Sequence, residues 1–395
     1  MKKIKILILL IALGFSAQAQ NIDEVINAVL LHNKSIQANN NYLNKLNIEA
    51  KTGLTLDNPT IGYVHLWDQN NTTGFSEEFE ASQSFEFPSS YAYRNTMSNL
   101  EIEKTEDRRK LFSIEILLEA KMVCTEIIYL RRKEEEATKR YSYANKLVEN
   151  IRSKLSNGYT TQFELDKALI SEMAIQNEMM EIEKKLKLKE DKLIELNGGQ
   201  PISLTLNNYP SESIPESLEV LFEHIESVDP LNKLIELEID IAELNIKLTK
   251  TGSLPEFEVG YKQERDGIDK FSGVIFGMSI PLWQNKNKVK SSKVNLEHMR
   301  SNIVRHENEH YFHVKEIYDE YVSANERLAK FRSLWNQLNY LENIEKALEE
   351  GEISSTEYFI ELKSLYEIKD NLLDIEKDYQ ILLSQLNKFD LLEYL

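Results

Sequence analysis

The chain has 395 residues, 28% of them charged, and a formal net charge of −18. So acidic a balance argues against nucleic-acid binding, which needs a basic face. A single cysteine, Cys124, rules out a disulfide framework. No stretch reaches the ~18 consecutive apolar residues that a membrane-spanning helix needs.

Residues 1–19 have the pattern of a secretory signal peptide. Lys2, Lys3 and Lys5 form a basic start, 6–15 is an apolar run, and Ala17-Gln18-Ala19 is a small-x-small cleavage site. Cleavage near Gln20 takes the net charge from −18 to −21 and leaves no cysteine there to carry a lipid. A helix over about 25–51 then leads to Pro59. That proline opens a short aromatic strand, Thr60-Ile61-Gly62-Tyr63-Val64, followed by a polar turn over 68–74. In the next strand Phe79, Ala81, Phe85 and Phe87 alternate with Glu80, Ser82, Ser84 and Glu86. Period two gives one apolar and one polar face. Strands of ~9–11 residues match a tilted crossing of a bilayer. Trp67, Phe75, Phe87 and Tyr91 sit at strand ends, as interfacial aromatics do.

Between Pro88 and Asn157 there is neither proline nor glycine. At ~1.5 Å per residue this predicts one helix roughly 100 Å long. Cys124, among Met122, Val123, Ile127 and Ile128, reads as a small core residue. Gly158 breaks the helix, and a returning helix follows over about 163–196. A linker with Gly198-Gly199, Pro201, Pro210 and Pro215 comes next.

The second half repeats the first. Leu234, Leu237, Ile241, Leu244 and Leu248 form a narrow helical seam. Pro255 opens Glu256-Phe257-Glu258-Val259-Gly260-Tyr261, a turn is expected over 263–270, and Val274, Phe276, Met278 and Ile280 make a fourth strand. The interval 282–350 has no proline or glycine and predicts a second uninterrupted long helix, its seam carried by Leu334, Leu338, Leu341 and Leu348. Gly351 ends it. A last helix over about 356–389 places Leu372, Ile375, Tyr379, Leu382 and Leu386 on one seam. Pro88 and Pro281 stand 193 residues apart, as do Gly158 and Gly351, and Pro59 and Pro255 are 196 apart. Spacing this regular implies one structural unit used twice: a repeat over 20–199, a linker over 200–215 and a repeat over 216–395. The fold class is mainly α with a small β part. Four strands cannot close a barrel, and open strand edges are not tolerated in lipid, so the strands of several chains must combine.

This order of elements resembles the TolC family of outer-membrane efflux ducts. The resemblance rests on several features. The opening helix over 22–33 is echoed at 218–229. The strands are led by prolines and closed by Pro88 and Pro281. The breaks Asn157-Gly158-Tyr159 and Glu350-Gly351-Glu352 are each followed by a Thr/Ser-rich turn and an acidic residue. It implies a homotrimer with a twelve-stranded barrel in outer-membrane lipid and a helical periplasmic tunnel. It further implies passive export for an inner-membrane pump of the resistance-nodulation-division or ABC type through a periplasmic adaptor, without catalysis or cofactor. By the same resemblance Gly158, Tyr159, Gly351 and Glu352 lie at the tunnel tip, where gating and adaptor docking occur. Glu164 and Glu357, six residues beyond the glycines, match acidic tunnel positions; Ile360 stands where a further acid is often found.

His306-Glu307-Asn308-Glu309-His310, with His313 beyond it, contains a His-Glu-x-x-His string of the kind that binds zinc on a helix. A secreted zinc peptidase is therefore one alternative, although no metal is expected from the charged, solvated surroundings of the string. A soluble periplasmic coiled-coil scaffold is the other. There is no phosphate-cradling glycine loop and no Ser/His/Asp arrangement.

Overall fold

The computed structural model describes residues 21–67, 74–214, 217–283 and 285–395. The expected signal peptide, residues 68–73 of the first turn and Pro215 lie outside the described residues. The first half comprises α1 (Ile22–His32), α2 (Lys34–Glu49), β1 (Thr60–Trp67), β2 (Phe75–Phe85), α3 (Pro88–Ser156) and α4 (Gln162–Leu196). The second comprises α5 (Leu218–Val228), α6 (Pro230–Thr251), β3 (Glu256–Asp266), β4 (Asp269–Ser279), α7 (Lys288–Trp335), α8 (Tyr340–Glu349) and α9 (Ser355–Leu386), with a terminal 3₁₀ turn. α3 runs for 69 residues without a break, as its lack of glycine and proline predicts.

The expected helix over 25–51 is two helices meeting at Asn33. This residue is buried, and its Oδ1 accepts from the backbone N–H groups of Ser35 (2.9 Å) and Ile36 (3.0 Å). Its Nδ2 donates to the Leu196 carbonyl at 2.8 Å. One side chain thus restarts a helix and ties it to the end of α4. Asp229 plays the matching part 196 residues later: its Oδ1 accepts from Leu231 N at 2.8 Å, and Pro230 occupies the first position of α6. The periodic apolar pattern continues across both kinks, so periodicity alone hides them.

The second long helix is also interrupted. α7 ends at Trp335, and α8 starts after Asn339, whose backbone is non-helical (φ −101°, ψ 34°) and whose side chain makes no cap hydrogen bond. Leu334 and Leu338, expected in the seam, are exposed. The two sides of the break serve different cores. Trp335 packs on Leu328, Leu372 and Ile375, while Ile344 packs on Tyr358 and Leu362. Asn336 and Asn339 make the interruption inexpensive, because Asn competes poorly for helix interior.

The described chain divides into two compact units, each drawing on both halves. One combines the chain up to Ala38 with Phe112–Val228 and Tyr311–Leu395; the other combines Asn39–Leu111 with Asp229–His310. The main core lies in the first. Val25, Ile26 and Val29 of α1 meet Leu117, Cys124, Ile127 and Ile128 of α3, Leu193 of α4, Leu204, Leu221 of α5 and Leu386 of α9. Burial pushes the Cys124 thiol up to about 12, so it stays protonated and behaves as a packing residue. Ser90–Thr251 (2.8 Å), Thr105–Asn47 (2.7 Å) and the Lys104–Glu238 ion pair (3.4 Å) hold the second unit's helices together.

The second unit also holds the sheet, an antiparallel set in the order β1-β2-β3-β4. Thr60 opposes Ser82, Phe85 opposes Phe257, and Glu256 opposes Ser279. The turn expected over 263–270 is tighter: the strands continue to Asp266 and resume at Asp269, leaving a two-residue loop, Gly267-Ile268, with Gly267 at φ 57°. Glycine at the first loop position matches the twist of a two-residue hairpin.

Three helices end in the same glycine device. Gly158, Gly198 and Gly351 adopt φ of 76°, 67° and 74°, and the residue after each donates its N–H to the carbonyl five positions back (Tyr159 to Lys154, Gly199 to Ile194, Glu352 to Ala347). Gly198 carries a second constraint, since a Cβ there would lie 2.1 Å from the His32 carbonyl oxygen. Gly199 meets nothing within 4 Å. Gly198→Ala should therefore destabilise the protein by more than about 3 kcal/mol, and Gly199→Ala by only about 1 kcal/mol of backbone strain. Thermal unfolding of the two variants side by side checks this; equal losses would contradict the close approach.

Candidate tip, tunnel and sheet surfaces

The two break turns place Gly158, Tyr159, Glu164, Gly351, Glu352 and Glu357 in matching local settings. Thr161 caps α4, its hydroxyl accepting from Glu164 N at 3.4 Å. Ser354 caps α9 in a full capping box: its Oγ accepts from Glu357 N at 3.2 Å, and the Glu357 carboxylate accepts from Ser354 N and Oγ at 2.8 Å each. Both glutamates are thus the third residue of a helix, where the macrodipole favours negative charge. The hydrogen bonds from Ser354 hold the Glu357 carboxyl below the usual carboxylate range. Glu164 instead pairs with Lys167 at 3.5 Å, and the Lys167 ammonium lies over the Phe163 ring at 4.2 Å. Tyr159 and Phe163 present their rings to solvent at the turn.

The next constellation along these helices is not visible in the sequence. Arg140 of α3 is buried, and its guanidinium makes a two-pronged bond with Asp370 of α9, both contacts at 3.0 Å. It also reaches Glu178 of α4 at 3.3 Å and lies over the Tyr366 ring at 4.4 Å. Further along, Arg132 pairs with Glu376 at 2.6 Å, Arg332 of α7 meets the same carboxylate, and Tyr129 donates to Asp374. α3 is therefore fastened to α9 by charges rather than by an apolar seam alone. A groove of about 540 Å³ opens beside Arg140, lined by Ile170, Ile175, Phe359, Ile360 and Tyr366. The i, i+4 charge pattern of these helices reads as solvated surface, so nothing in the sequence singles out Arg140.

The sheet has two unlike faces. Cross-strand register sets Ile61, Phe79, Ala81, Phe85, Phe257, Val259, Tyr261, Val274, Phe276 and Met278 on one face. Val259, Tyr261, Val274, Phe276 and Met278 are exposed on it. The other face carries Glu78, Glu80, Glu256, Glu258, Glu264, Asp266 and Asp269, with Lys262 as its one lysine or arginine among the described residues, beside the glycines at 62, 260, 273 and 277 and the apolar Val64, Leu66, Phe271 and Ile275. Lys262 pairs with Glu78 at 2.8 Å. Among the described residues β1 and β4 each have a neighbour on one side only.

The histidine string lies on α7. The His306 and His310 rings stack at 5.6 Å, 11° from parallel, and His310 Nε2 is 4.0 Å from Asp229 Oδ2. Among the described residues no group of three His, Cys, Asp or Glu side chains is arranged to hold a metal ion. His313 belongs to no such group, so among the described residues the zinc-peptidase alternative has no three-residue ligand set.

No family model matches the sequence, and no curated protein matches it. Solved structures do. A crystal structure of CusC, described in terms of folding and transmembrane channel formation, superposes with a TM-score of 0.76 at 15% identity, covering 93% of this chain and 91% of that one. The outer membrane channel CmeC of Campylobacter jejuni gives 0.73 at 13% identity over 93% and 85%. The outer-membrane channel OprN gives 0.74 at 11% over 93% and 89%. The chain therefore has the fold of the TolC-like outer-membrane channels, with long helices and a four-stranded antiparallel sheet.

Removing Asp370 leaves the buried Arg140 guanidinium with Glu178, at 3.3 Å, as its remaining counter-charge. Asp370→Asn should destabilise the protein by about 1–3 kcal/mol. Ser354→Ala, which removes only a cap, should cost about 1 kcal/mol. Denaturation of the purified variants in detergent measures both, and a near-neutral Asp370→Asn would show that the clamp contributes nothing.

Proposed function

We propose that the chain is one subunit of a trimeric outer-membrane channel. The observation that carries this reading is the sheet: one face largely apolar and exposed, the opposite face rich in carboxylates, both edges open. A sheet of this kind is satisfied in lipid only as an arc of a closed barrel. Three copies supply twelve strands, with the apolar face toward lipid and the carboxylates toward the lumen. Every strand end opposite the hairpin loops leads into a helix, so the helices extend from one side of the membrane, the periplasmic side. No catalytic step is involved. The chain works as two repeats, 20–199 and 216–395, joined by 200–215.

The tip turns are the gate and the adaptor surface in this reading. Tyr159 and Phe163 are exposed aromatics beside a glycine turn, suited to docking a periplasmic adaptor protein that links the channel to an inner-membrane pump of the RND or ABC type. Glu164 and Glu357, repeated in three subunits, ring the entrance with six carboxylates and draw cations in. Docking shifts the helical hairpins about Gly158 and Gly351 and widens the entrance.

Two measurements test this. Replacing both Glu164 and Glu357 with Ala should reduce cation selectivity in planar bilayers; unchanged reversal potentials would remove them from the conduction path. Val274→Arg, on the apolar face at mid-sheet, should destabilise the membrane-inserted trimer by about 2–4 kcal/mol, while Glu80→Arg on the opposite face should be tolerated. The reverse ranking, or a mature protein stable as a monomer without detergent, would overturn the channel reading.

A further inference from the structure

The apolar face of the sheet is interrupted near the hairpin loops by a single charged row. His65 opposes Glu77, Glu77 opposes Arg265, and Arg265 opposes Lys270, so the row crosses all four strands. The four residues point to the same side as Phe79, Tyr261 and Phe276. The next row toward the helices, Tyr63, Phe79, Gln263 and Ser272, carries no charge.

The row holds more positive charge than it can satisfy. Arg265 and Lys270 stand directly opposite each other, a placement that repels unless an anion lies between them. The only carboxylate in the row, Glu77, is already shared: Tyr63 Oη donates to it at 3.1 Å, His65 Nδ1 is at 3.3 Å and Arg265 Nη1 at 3.7 Å. No ion pair among the described residues includes Lys270, and the buried Nε of Arg265 has no hydrogen-bond partner. The Arg265 guanidinium is held over the Phe75 ring at 4.8 Å, which fixes its plane. Trp67 and Phe75 lie on the loop side of the row and the apolar rows lie on the other.

We infer that Arg265 and Lys270 bind the phosphate of a membrane lipid headgroup on the outer leaflet. A planar guanidinium with an ammonium-bearing residue opposite it on the neighbouring strand matches phosphate oxygens. The apolar surface below the row takes the acyl chains and the aromatic pair sits at headgroup level. Free phosphate satisfies only the first of these features. The opposite face offers no equivalent, because Lys262 is already paired with Glu78. This inference rests on the channel reading, which puts this face in lipid and the loops outside.

The test uses the full mature trimer in detergent, with bisphosphorylated lipid A, its dephosphorylated form and inorganic phosphate as probes. At saturating lipid A the unfolding temperature should rise by about 4 °C or more. Dephosphorylated lipid and inorganic phosphate should leave it unchanged. R265Q/K270Q should lose the shift and K262Q should keep it. Should the double variant fail to assemble, K270Q alone should show a reduced shift, and native mass spectrometry should find fewer lipid A molecules retained per trimer. Equal shifts with both lipids, a shift with inorganic phosphate alone, or full retention in the Lys270 and Arg265 variants would each overturn the inference. A protein that conducts in bilayers yet shows no lipid preference sinks this inference alone; one that never inserts sinks the channel reading.

Discussion

The open edges of β1 and β4 are the constraint from which the rest follows. Each edge presents a row of backbone N–H and C=O groups, and each such group costs several kcal/mol when it is left unpaired in lipid. In water the same sheet would expose an aromatic face with nothing to cover it. Neither solvent suits a single copy. In the channel we propose, closure with sister chains satisfies the edges and the apolar face together, and it turns the carboxylate-rich face toward an aqueous lumen.

The helical part is held by a different kind of interaction. Its main core is apolar, but away from that core α3 is joined to α9, α4 and α7 through Arg140, Arg132, Asp370 and Glu376. Buried ion pairs add little net stability compared with apolar packing, yet they punish misalignment heavily. That property suits helices whose register must be kept over many turns. The break at 336–339 belongs to the same picture: it separates the Trp335 cluster from the Tyr358 cluster, so each end of the hairpin packs on its own partners. The first half has no such break, and α3 remains continuous over the matching positions. The two halves are thus alike in plan and unlike in stiffness.

Much of this was legible along the chain because the chemistry is local. Gly158 and Gly351 are needed at positive φ wherever the helices pack, and Ser354 caps Glu357 three residues away whatever lies outside. Strand alternation assigned the two faces of β2, β3 and β4. The kinks at Asn33 and Asp229 were missed because apolar periodicity runs through them; only their burial shows that the side chains act as caps rather than as surface. The loop at Gly267-Ile268 is tighter than the local composition implies, because polar residues at strand ends resemble loop residues.

What the order of residues determined was the glycine turns, the unbroken first long helix and the two-faced character of the strands, all governed by neighbours within a few positions. What only the tertiary structure decided was which charges become partners across long separations. Arg140 meets Asp370 from 230 residues away, and Glu77 meets Arg265 with Lys270 left over. A charged side chain looks the same in a sequence whether solvent, a buried carboxylate or nothing faces it. Its energy is set by what folding brings alongside.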